Sequence, residues 1–155
     1  MREPLKLRKR PHYKGLPIPA TAKIKGGIPD FADIDWDKAK LFGINRQCAL
    51  CGYKIQDKKV AFIGGPLTAE SKVYRDGPMH ESCARYAAIV CPFLNGDKET
   101  YRHDSWIDPL MTGKRPEKII LLLAESYQMG RDILNHYNYR AVDPVTIEEI
   151  VLDES

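Results

Sequence analysis

Four residues have the types and the spacing that suit a metal ion. Cys48 and Cys51 form a C-x2-C pair, and His80 and Cys83 form an H-x2-C pair after a gap of 28 residues. Gly52 follows the first pair, and its access to left-handed conformations lets the backbone fold around two sulfurs. Residues three apart lie on one face of a helix, as His80 and Cys83 would. Two ligands from a knuckle and two from a helix complete a tetrahedron, so we expect Zn²⁺ at these four residues.

Cysteines have roles other than metal binding. Cysteine also serves as a small apolar core residue, and a lone C-x2-C pair does not decide between the two roles. The agreement of both pairs favours the metal, and without a secretory signal we expect no disulfide framework. Cys91 falls outside the metal-ligand pattern. It lies near the end of a segment whose apolar residues recur with helical spacing (Met79, Cys83, Ala87, Val90 and Leu94). Cys91 is therefore predicted to be a buried apolar residue, with a fifth ligand or a reactive thiol as the alternative.

The elements around the two pairs must position them. An apolar run at 59–63, a turn at 64–66 and a second run at 73–75 predict a β-hairpin in the gap. Helical spacing predicts a helix beginning at His80. A knuckle, a hairpin and a helix in this order are typical of a treble-clef zinc finger. The sequence therefore predicts an α+β fold, a treble clef with a small additional strand and helix unit.

The flanking segments predict further elements. We expect a short helix at 33–42, a polar connection at 95–116, a buried strand at 118–127 and a partner strand within 133–142. A helix through Leu134 is the alternative for the apolar run at 119–124. Asp143 as N-cap and Pro144 at the first helical position predict a final helix at 145–152. Acidic residues on that helix would form a solvated face: Glu148, Glu149, Asp153 and Glu154.

Several sequence runs resemble a family of uncharacterised small proteins of bacteriophages and actinobacteria. The runs are Ala61-Phe62-Ile63-Gly64-Gly65-Pro66, Pro78-Met79-His80-Glu81-Ser82-Cys83-Ala84 with Tyr86 and Ala87, and Val90-Cys91-Pro92-Phe93-Leu94. The resemblance extends to 16–19, the C-x2-C pair, 122–127 and 142–145, and is weakest at 95–116. It implies a metal site at Cys48, Cys51, His80 and Cys83 and a phage or prophage source. It carries no activity with it.

Charge is distributed unevenly along the 155 residues. The chain has 24 basic and 21 acidic residues, and residues 1–25 contain eight basic residues but one acidic residue. Because prolines and glycines interrupt it, residues 1–30 are predicted to form an extended or loosely ordered basic arm. A single zinc-binding domain would follow at 31–155, with its zinc unit at 47–94 and a strand and helix unit at 117–152. A basic arm attracts polyanions; the alternatives are a solubilising tail or docking on the acidic C-terminal residues.

Catalysis is not expected from this sequence. HNH nucleases share the treble clef but need a histidine base on the hairpin and further His or Asn on the helix. Residues 58–76 contain no histidine, and residues 81–94 contain neither His nor Asn. His103 and His136 lie outside the zinc unit and are predicted to be surface residues. A zinc ion with four protein ligands also has no open position for a substrate, so an HNH-like nuclease is the least favoured alternative.

Recognition is the predicted function. The preferred version is a phage-encoded accessory factor that binds and modulates a host protein, and the alternative is nucleic-acid binding through the arm. No small-molecule substrate is evident, and no apolar run is long enough to cross a membrane, so we expect a cytoplasmic protein. The candidate contact residues are basic: Arg2, Lys6, Arg8, Lys9, Arg10, Lys14, Lys54, Lys58 and Lys59, with Lys72 and Arg75 as further members.

Overall fold

The computed structural model describes residues 2–90 and 118–151, which form a mixed α+β fold as the sequence predicts. The helices are α1 (Leu5–Arg8), α2 (Trp36–Ile44), α3 (Pro66–Ser71) and α4 (Glu81–Val90). The strands are β1 (His12–Tyr13), β2 (Leu16–Pro17), β3 (Ala22–Lys25), β4 (Ile28–Ile34), β5 (Val60–Gly64), β6 (Val73–Tyr74), β7 (Ile119–Arg131) and β8 (Tyr137–Ile150). The predictions for Cys91, His103, residues 95–116, Asp153 and Glu154 lie outside the described residues.

A four-stranded antiparallel sheet, in the order β5-β7-β8-β6, forms the centre of the described structure. The strand predicted at 118–127 is confirmed and extends to Arg131, so the helical alternative is wrong. The partner strand is also present, as β8. In the turn between them, Asp132 Oδ1 accepts hydrogen bonds from the backbone N–H groups of Leu134 at 2.8 Å and His136 at 2.9 Å. This side-chain acceptor closes the long hairpin.

The final helix predicted at 145–152 is wrong, because β8 continues as a strand to Ile150. The β7–β8 register shifts between Leu123 and Ala124, where Ala124 pairs with Pro144 and Asp143 has a φ of 53°. A β-bulge accommodates a proline within a strand, so the Asp-Pro pair marks a bulge and not a helix start. The β-branched residues on either side of the pair favour the strand.

One of the acidic residues predicted on that helix connects the sheet to α4. Glu148 lies on β8 and accepts a hydrogen bond from Arg85 Nη1 at 2.6 Å, while Arg85 Nε donates to Glu81 at 2.9 Å. The hydrogen bond from Arg85 lowers the pKa of Glu148. Exposed ion pairs contribute little to stability, so this contact adds little to the stability of the fold.

The hairpin predicted between the two Cys/His pairs is also wrong. β5 pairs with β7 and β6 pairs with β8, so the two strands lie at opposite edges of the sheet. The predicted turn instead begins α3, with Gly65 as N-cap and Pro66 at the first helical position. Lys72, with a φ of 64°, ends α3 and leads into β6. The treble-clef order of knuckle, hairpin and helix is therefore not shown.

The N-terminal segment differs from the extended arm that its composition suggests. It contains α1 and two antiparallel ribbons, β1–β2 and β3–β4, and β4 runs across residue 30. Leu7 is 0% exposed and belongs to the main hydrophobic cluster. Ala20 and Thr21 donate backbone hydrogen bonds to the carbonyls of Leu50 and Ala49 at 3.0 and 3.2 Å. Leu7, Ala20 and Thr21 therefore attach the N-terminal segment to the rest of the chain.

The helix predicted at 33–42 is confirmed as α2, shifted to begin at Trp36 and end at Ile44. Asp35 is its N-cap, and the carboxylate accepts hydrogen bonds from the backbone N–H groups of Asp37 and Lys38. Tyr139 of β8 and Tyr127 of β7 donate hydroxyl hydrogen bonds to the carbonyls of Ala39 and Gly43, at 3.1 and 2.6 Å. These bonds attach α2 to the central sheet.

The core lies between the sheet, α4 and the cysteine knuckle. Its largest fully buried side chains include Tyr74, Tyr139 and Phe62. On α4, Cys83 and Ala87 are buried, which confirms the apolar helix face predicted from spacing. No helix among the described residues is long and apolar enough to span a bilayer.

Candidate metal centre

The first half of the centre is a knuckle at 47–54. An isolated bridge joins Gln47 to Lys54, and Cys48 donates its N–H to the carbonyl of Tyr53 at 2.8 Å. Gly52 has a φ of 83°, a conformation that side-chain-bearing residues rarely adopt, and it donates to the carbonyl of Cys48 at 2.8 Å. The backbone N–H of Cys51 lies 3.5 Å from Cys48 Sγ. The tight turn therefore brings the backbone N–H of Cys51 close to Cys48 Sγ and places the sulfurs of Cys48 and Cys51 in the same cluster.

The second half of the centre is the first turn of α4. His80 precedes the helix, and its carbonyl accepts a hydrogen bond from the N–H of Ala84 at 2.9 Å. An isolated bridge between Met79 and Ala61 fixes this turn to β5. The carbonyl of Pro78 accepts a hydrogen bond from the N–H of Ala49 at 2.8 Å, which joins the turn to the knuckle. Two backbone contacts thus hold the H-x2-C pair opposite the C-x2-C pair.

The structure brings the four predicted ligands together. One donor atom from each of Cys48, Cys51, His80 and Cys83 lies within 4.8 Å of all the others, and all four residues are buried. His80 Nδ1 is 3.3 Å from Cys51 Sγ and 3.9 Å from Cys83 Sγ. Tetrahedral ligands at zinc bond lengths are about 3.6 Å apart for sulfur and nitrogen. The four side chains can therefore hold one metal ion in the space between them.

Mutual hydrogen bonds perturb ionisation within this cluster. Burial opposes ionisation of Cys48, but hydrogen bonds with Cys51, Cys83 and His80 outweigh it and bring the pKa of Cys48 well below its usual value. Hydrogen bonds with Cys48 and Cys51 raise the pKa of His80 to about 10. Hydrogen bonds with the same two cysteines, together with burial, raise the pKa of Cys83. A metal bound here would displace protons that the cluster otherwise shares.

The outer nitrogen of the histidine ring faces two groups. His80 Nε2 lies 3.2 Å from the carbonyl oxygen of Lys54 and 3.3 Å from Lys6 Nζ. Metal-bound histidines commonly donate their second ring N–H to a backbone carbonyl, which fixes the orientation of the ring. The carbonyl of Lys54 is in position for that role, and Lys6 brings a positive charge next to the Cys/His cluster.

A cavity of about 400 Å³ adjoins the metal centre, between α1, α2 and the knuckle. Its wall includes Cys51 and Gly52 of the knuckle. We call it the basic cavity, defined by four cations and two aromatic residues: Lys6, Lys9, Arg10, Lys38, Phe42 and Tyr53. Three of the basic residues predicted to contact a partner therefore line one concave surface.

The other predicted contact residues do not line the basic cavity. Arg2, Arg8, Lys14, Lys54, Lys58 and Lys59 are exposed at the surface. Arg8 donates to the carbonyl of Glu3 at 2.9 Å, and the ammonium group of Lys14 lies over the ring of Tyr13. Lys72 is half-buried at the end of α3. Arg75 is buried with its guanidinium 5.5 Å from the ring centre of Trp36, so it is not the exposed contact that the sequence predicts.

Three cavity residues were missed by the sequence analysis. Lys38 and Phe42 lie four residues apart on α2, and Tyr53 lies on the knuckle directly after Gly52. The i, i+4 spacing places the first two on one face of a helix, which is a signal available in the sequence. The packing of α2 beside the knuckle is a tertiary contact that local spacing does not encode.

The remaining described histidines lie in other surroundings. His136 is predicted to be a surface residue, but its ring stacks on Trp36 with centroids 4.6 Å apart, and Asp132 lies 3.9 Å away. His12 pairs with Glu3 at 2.6 Å, and this hydrogen bond raises the pKa of His12. Among residues 2–90 and 118–151, Cys48, Cys51, His80 and Cys83 form the one cluster of three or more Cys, His, Asp or Glu donors.

No protein-family model, no curated protein and no solved structure matches the chain. The resemblance to small phage and actinobacterial proteins therefore stays a prediction from sequence.

Proposed function

We propose that the chain is a non-catalytic recognition protein with a structural zinc ion. The observation that carries the proposal is the burial of four Cys/His donors within 4.8 Å of one another. Three thiolates and one imidazole are a donor set that suits Zn²⁺, and four protein ligands leave no position on the metal for a substrate.

The proposed zinc joins two segments that are distant in sequence. Its ligands come from the knuckle at 47–54 and from the first turn of α4, and both also contribute to the core. Binding of zinc to such a site supplies folding free energy, because the unfolded chain has no preformed site. Loss of the metal should therefore loosen the contact between α4 and the knuckle.

Elemental analysis of freshly purified protein tests the metal assignment. We expect about one zinc ion per chain. Cys83→Ser should lose the zinc and melt at a much lower temperature, whereas Cys91→Ala, at a cysteine outside the pattern, should keep it. Metal-free parent protein, or a Cys83→Ser variant that binds zinc and melts like the parent, would contradict the proposal.

Two partner classes follow from different observations. The first class is a host protein, bound by a phage-encoded accessory factor in the host cytoplasm, and it rests on the phage source that the sequence resemblance implies. Nucleic acid is supported by a specific feature of the structure, the basic cavity beside the metal centre. A surface of clustered Lys and Arg attracts phosphates through the release of counterions, so we favour nucleic acid on structural grounds.

Affinity purification from a host extract, divided into nuclease-treated and untreated halves, separates the two classes. A nucleic-acid partner predicts that material bound by the tagged protein is lost on nuclease treatment and at raised salt. One host protein recovered equally from both halves would instead establish the host-protein class. Recovery of neither, from zinc-loaded protein, would contradict a recognition function.

A further inference from the structure

Among the described residues, the lining of the basic cavity is positively charged and contains no acidic side chain to neutralise it. Four of its lining residues are cationic, and none of the described residues that line it is acidic. Like charges held around one concave surface repel one another, so the arrangement is more favourable when an anion occupies it. Arg10 Nε donates to the carbonyl of Ile18 at 3.1 Å, which fixes its guanidinium at the cavity wall.

Lys6 lies between the metal centre and the basic cavity, beside His80 and in the cavity wall. If His80 binds the metal through Nδ1, its Nε2 carries hydrogen and donates to the carbonyl of Lys54 at 3.2 Å. An ammonium group finds no acceptor at an Nε2–H, so Lys6 Nζ, 3.3 Å from that nitrogen, is available to an anion in the cavity. Cys51 and Gly52 line the same cavity, so the knuckle shapes both sites.

Aromatic side chains complete the wall. The Tyr53 side chain is 49% exposed, and Phe42 is half-buried on the facing helix α2. An exposed aromatic ring beside cationic groups is the combination that proteins use to stack a base while holding its phosphate. A cavity of about 400 Å³ has the size of a small-ligand pocket and is too small for a duplex.

We propose that the basic cavity binds one nucleotide unit, with its phosphate on Lys6, Lys9, Arg10 and Lys38 and its base against Tyr53. The unit is either a free nucleotide or one residue of a single strand, since both carry the same phosphate and base. This inference deepens the proposed recognition function and rests on it.

Fluorescence anisotropy with a labelled oligothymidylate, using zinc-loaded full-length protein, tests this site. Lys38→Ala is the informative variant, because Lys38 lies on the cavity wall, and Lys58→Ala is its matched control. Both variants remove one exposed positive charge, so general electrostatic attraction predicts equal weakening. The cavity predicts an affinity loss of about three-fold or more, with a salt slope reduced by about 0.7, for Lys38→Ala alone.

A second pair of variants tests the base contact. Tyr53→Ala should weaken binding by at least about five-fold, and Tyr53→Phe should restore it, because phenylalanine keeps the stacking face. The backbone carbonyl of Tyr53, which accepts from Cys48, is unaltered in both. Zinc content, measured for every variant, separates loss of the cavity from loss of the fold.

Competition assigns the source of the nucleotide. Displacement by thymidine monophosphate at a concentration similar to that of the oligonucleotide indicates a free nucleotide, and displacement by the oligonucleotide alone indicates a single strand. Equal displacement by polyglutamate would overturn the inference in favour of an acidic protein segment. Absence of binding to any phosphate probe, or equal losses in Lys38→Ala and Lys58→Ala, would also overturn it. Any of these three results, obtained with zinc bound, leaves the metal assignment intact.

Discussion

Leu7 tests whether the N-terminal segment belongs to the fold. Leu7 is 0% exposed within the hydrophobic cluster that contains Cys48 and Cys83, whereas Leu5 on the same short helix is 62% exposed. Replacing a fully buried leucine by alanine removes its contacts and leaves a cavity, so Leu7→Ala should lower the free energy of unfolding by about 2–5 kcal/mol. Leu5→Ala should change it by no more than about 0.5 kcal/mol.

Urea unfolding of the zinc-loaded protein, followed by circular dichroism, measures this difference. With a denaturant slope of about 1–3 kcal/mol per molar, the midpoint for Leu7→Ala should fall by roughly 1–2 M. Leu5→Ala should unfold at the parent midpoint with the same slope. Equal midpoints for the two variants would refute the packing argument. Residues 1–30 would then be the separable arm that their composition suggests.

Three further outcomes follow from the site. Gly52→Ala should lower the free energy of unfolding by about 1–2 kcal/mol and weaken zinc binding, because Gly52 has a φ of 83° and a Cβ there would lie 3.3 Å from that of Ala20. The control is Gly26→Ala, which is strained at a φ of 57° but lies in open space. This variant should leave the zinc affinity, measured by chelator competition, unchanged. Supercoiled plasmid incubated with the protein and Mg²⁺, Mn²⁺ or Ni²⁺ should stay intact. Nicking by the parent protein that is lost in His136→Ala would show that the protein is a nuclease. Because hydrogen bonds with cysteines raise the pKa of His80 to about 10, zinc must displace a proton at neutral pH, and its apparent affinity should fall as the pH is lowered from about 8 to 6. An affinity that rises on acidification, in the same competition assay, would contradict this.

Local chemistry in the sequence was sufficient to predict several elements. The C-x2-C-G run predicts the knuckle because its geometry depends on adjacent residues and on one glycine with positive φ. The apolar spacing from Met79 to Val90 predicts α4 because helical periodicity is a local property. The short helix predicted at 33–42 is found as α2 at Trp36–Ile44, displaced by a few residues.

Pairing between distant strands was not predictable in this way. β5 and β6 are consecutive strands in the chain, as the two strands of a hairpin are, but β7 and β8, from more than forty residues later, lie between them. Asp143 and Pro144 carry a signal shared by helix starts and bulges, and the pairing with β7 decides between the two. Proline and glycine content excluded a long helix in the first thirty residues but did not reveal the burial of Leu7.

The same distinction applies to the site. Two pairs with metal-ligand spacing were enough to propose the four donors, although their convergence depends on contacts between the knuckle, β5 and α4. Lys38 and Tyr53 carry no motif, and they become candidates only through the packing of α2 beside the knuckle. Surface charge in sequence therefore predicted an attraction to anions but not the cavity that concentrates it.

X-ray absorption at the zinc edge tests the central claim most directly, because it reports the type and distance of the atoms bound to the metal. The arrangement of Cys48, Cys51, His80 and Cys83 predicts three sulfur ligands at about 2.3 Å and one nitrogen ligand at about 2.0 Å. A shell with a water or carboxylate oxygen, or with fewer than three sulfurs, would contradict a closed structural centre.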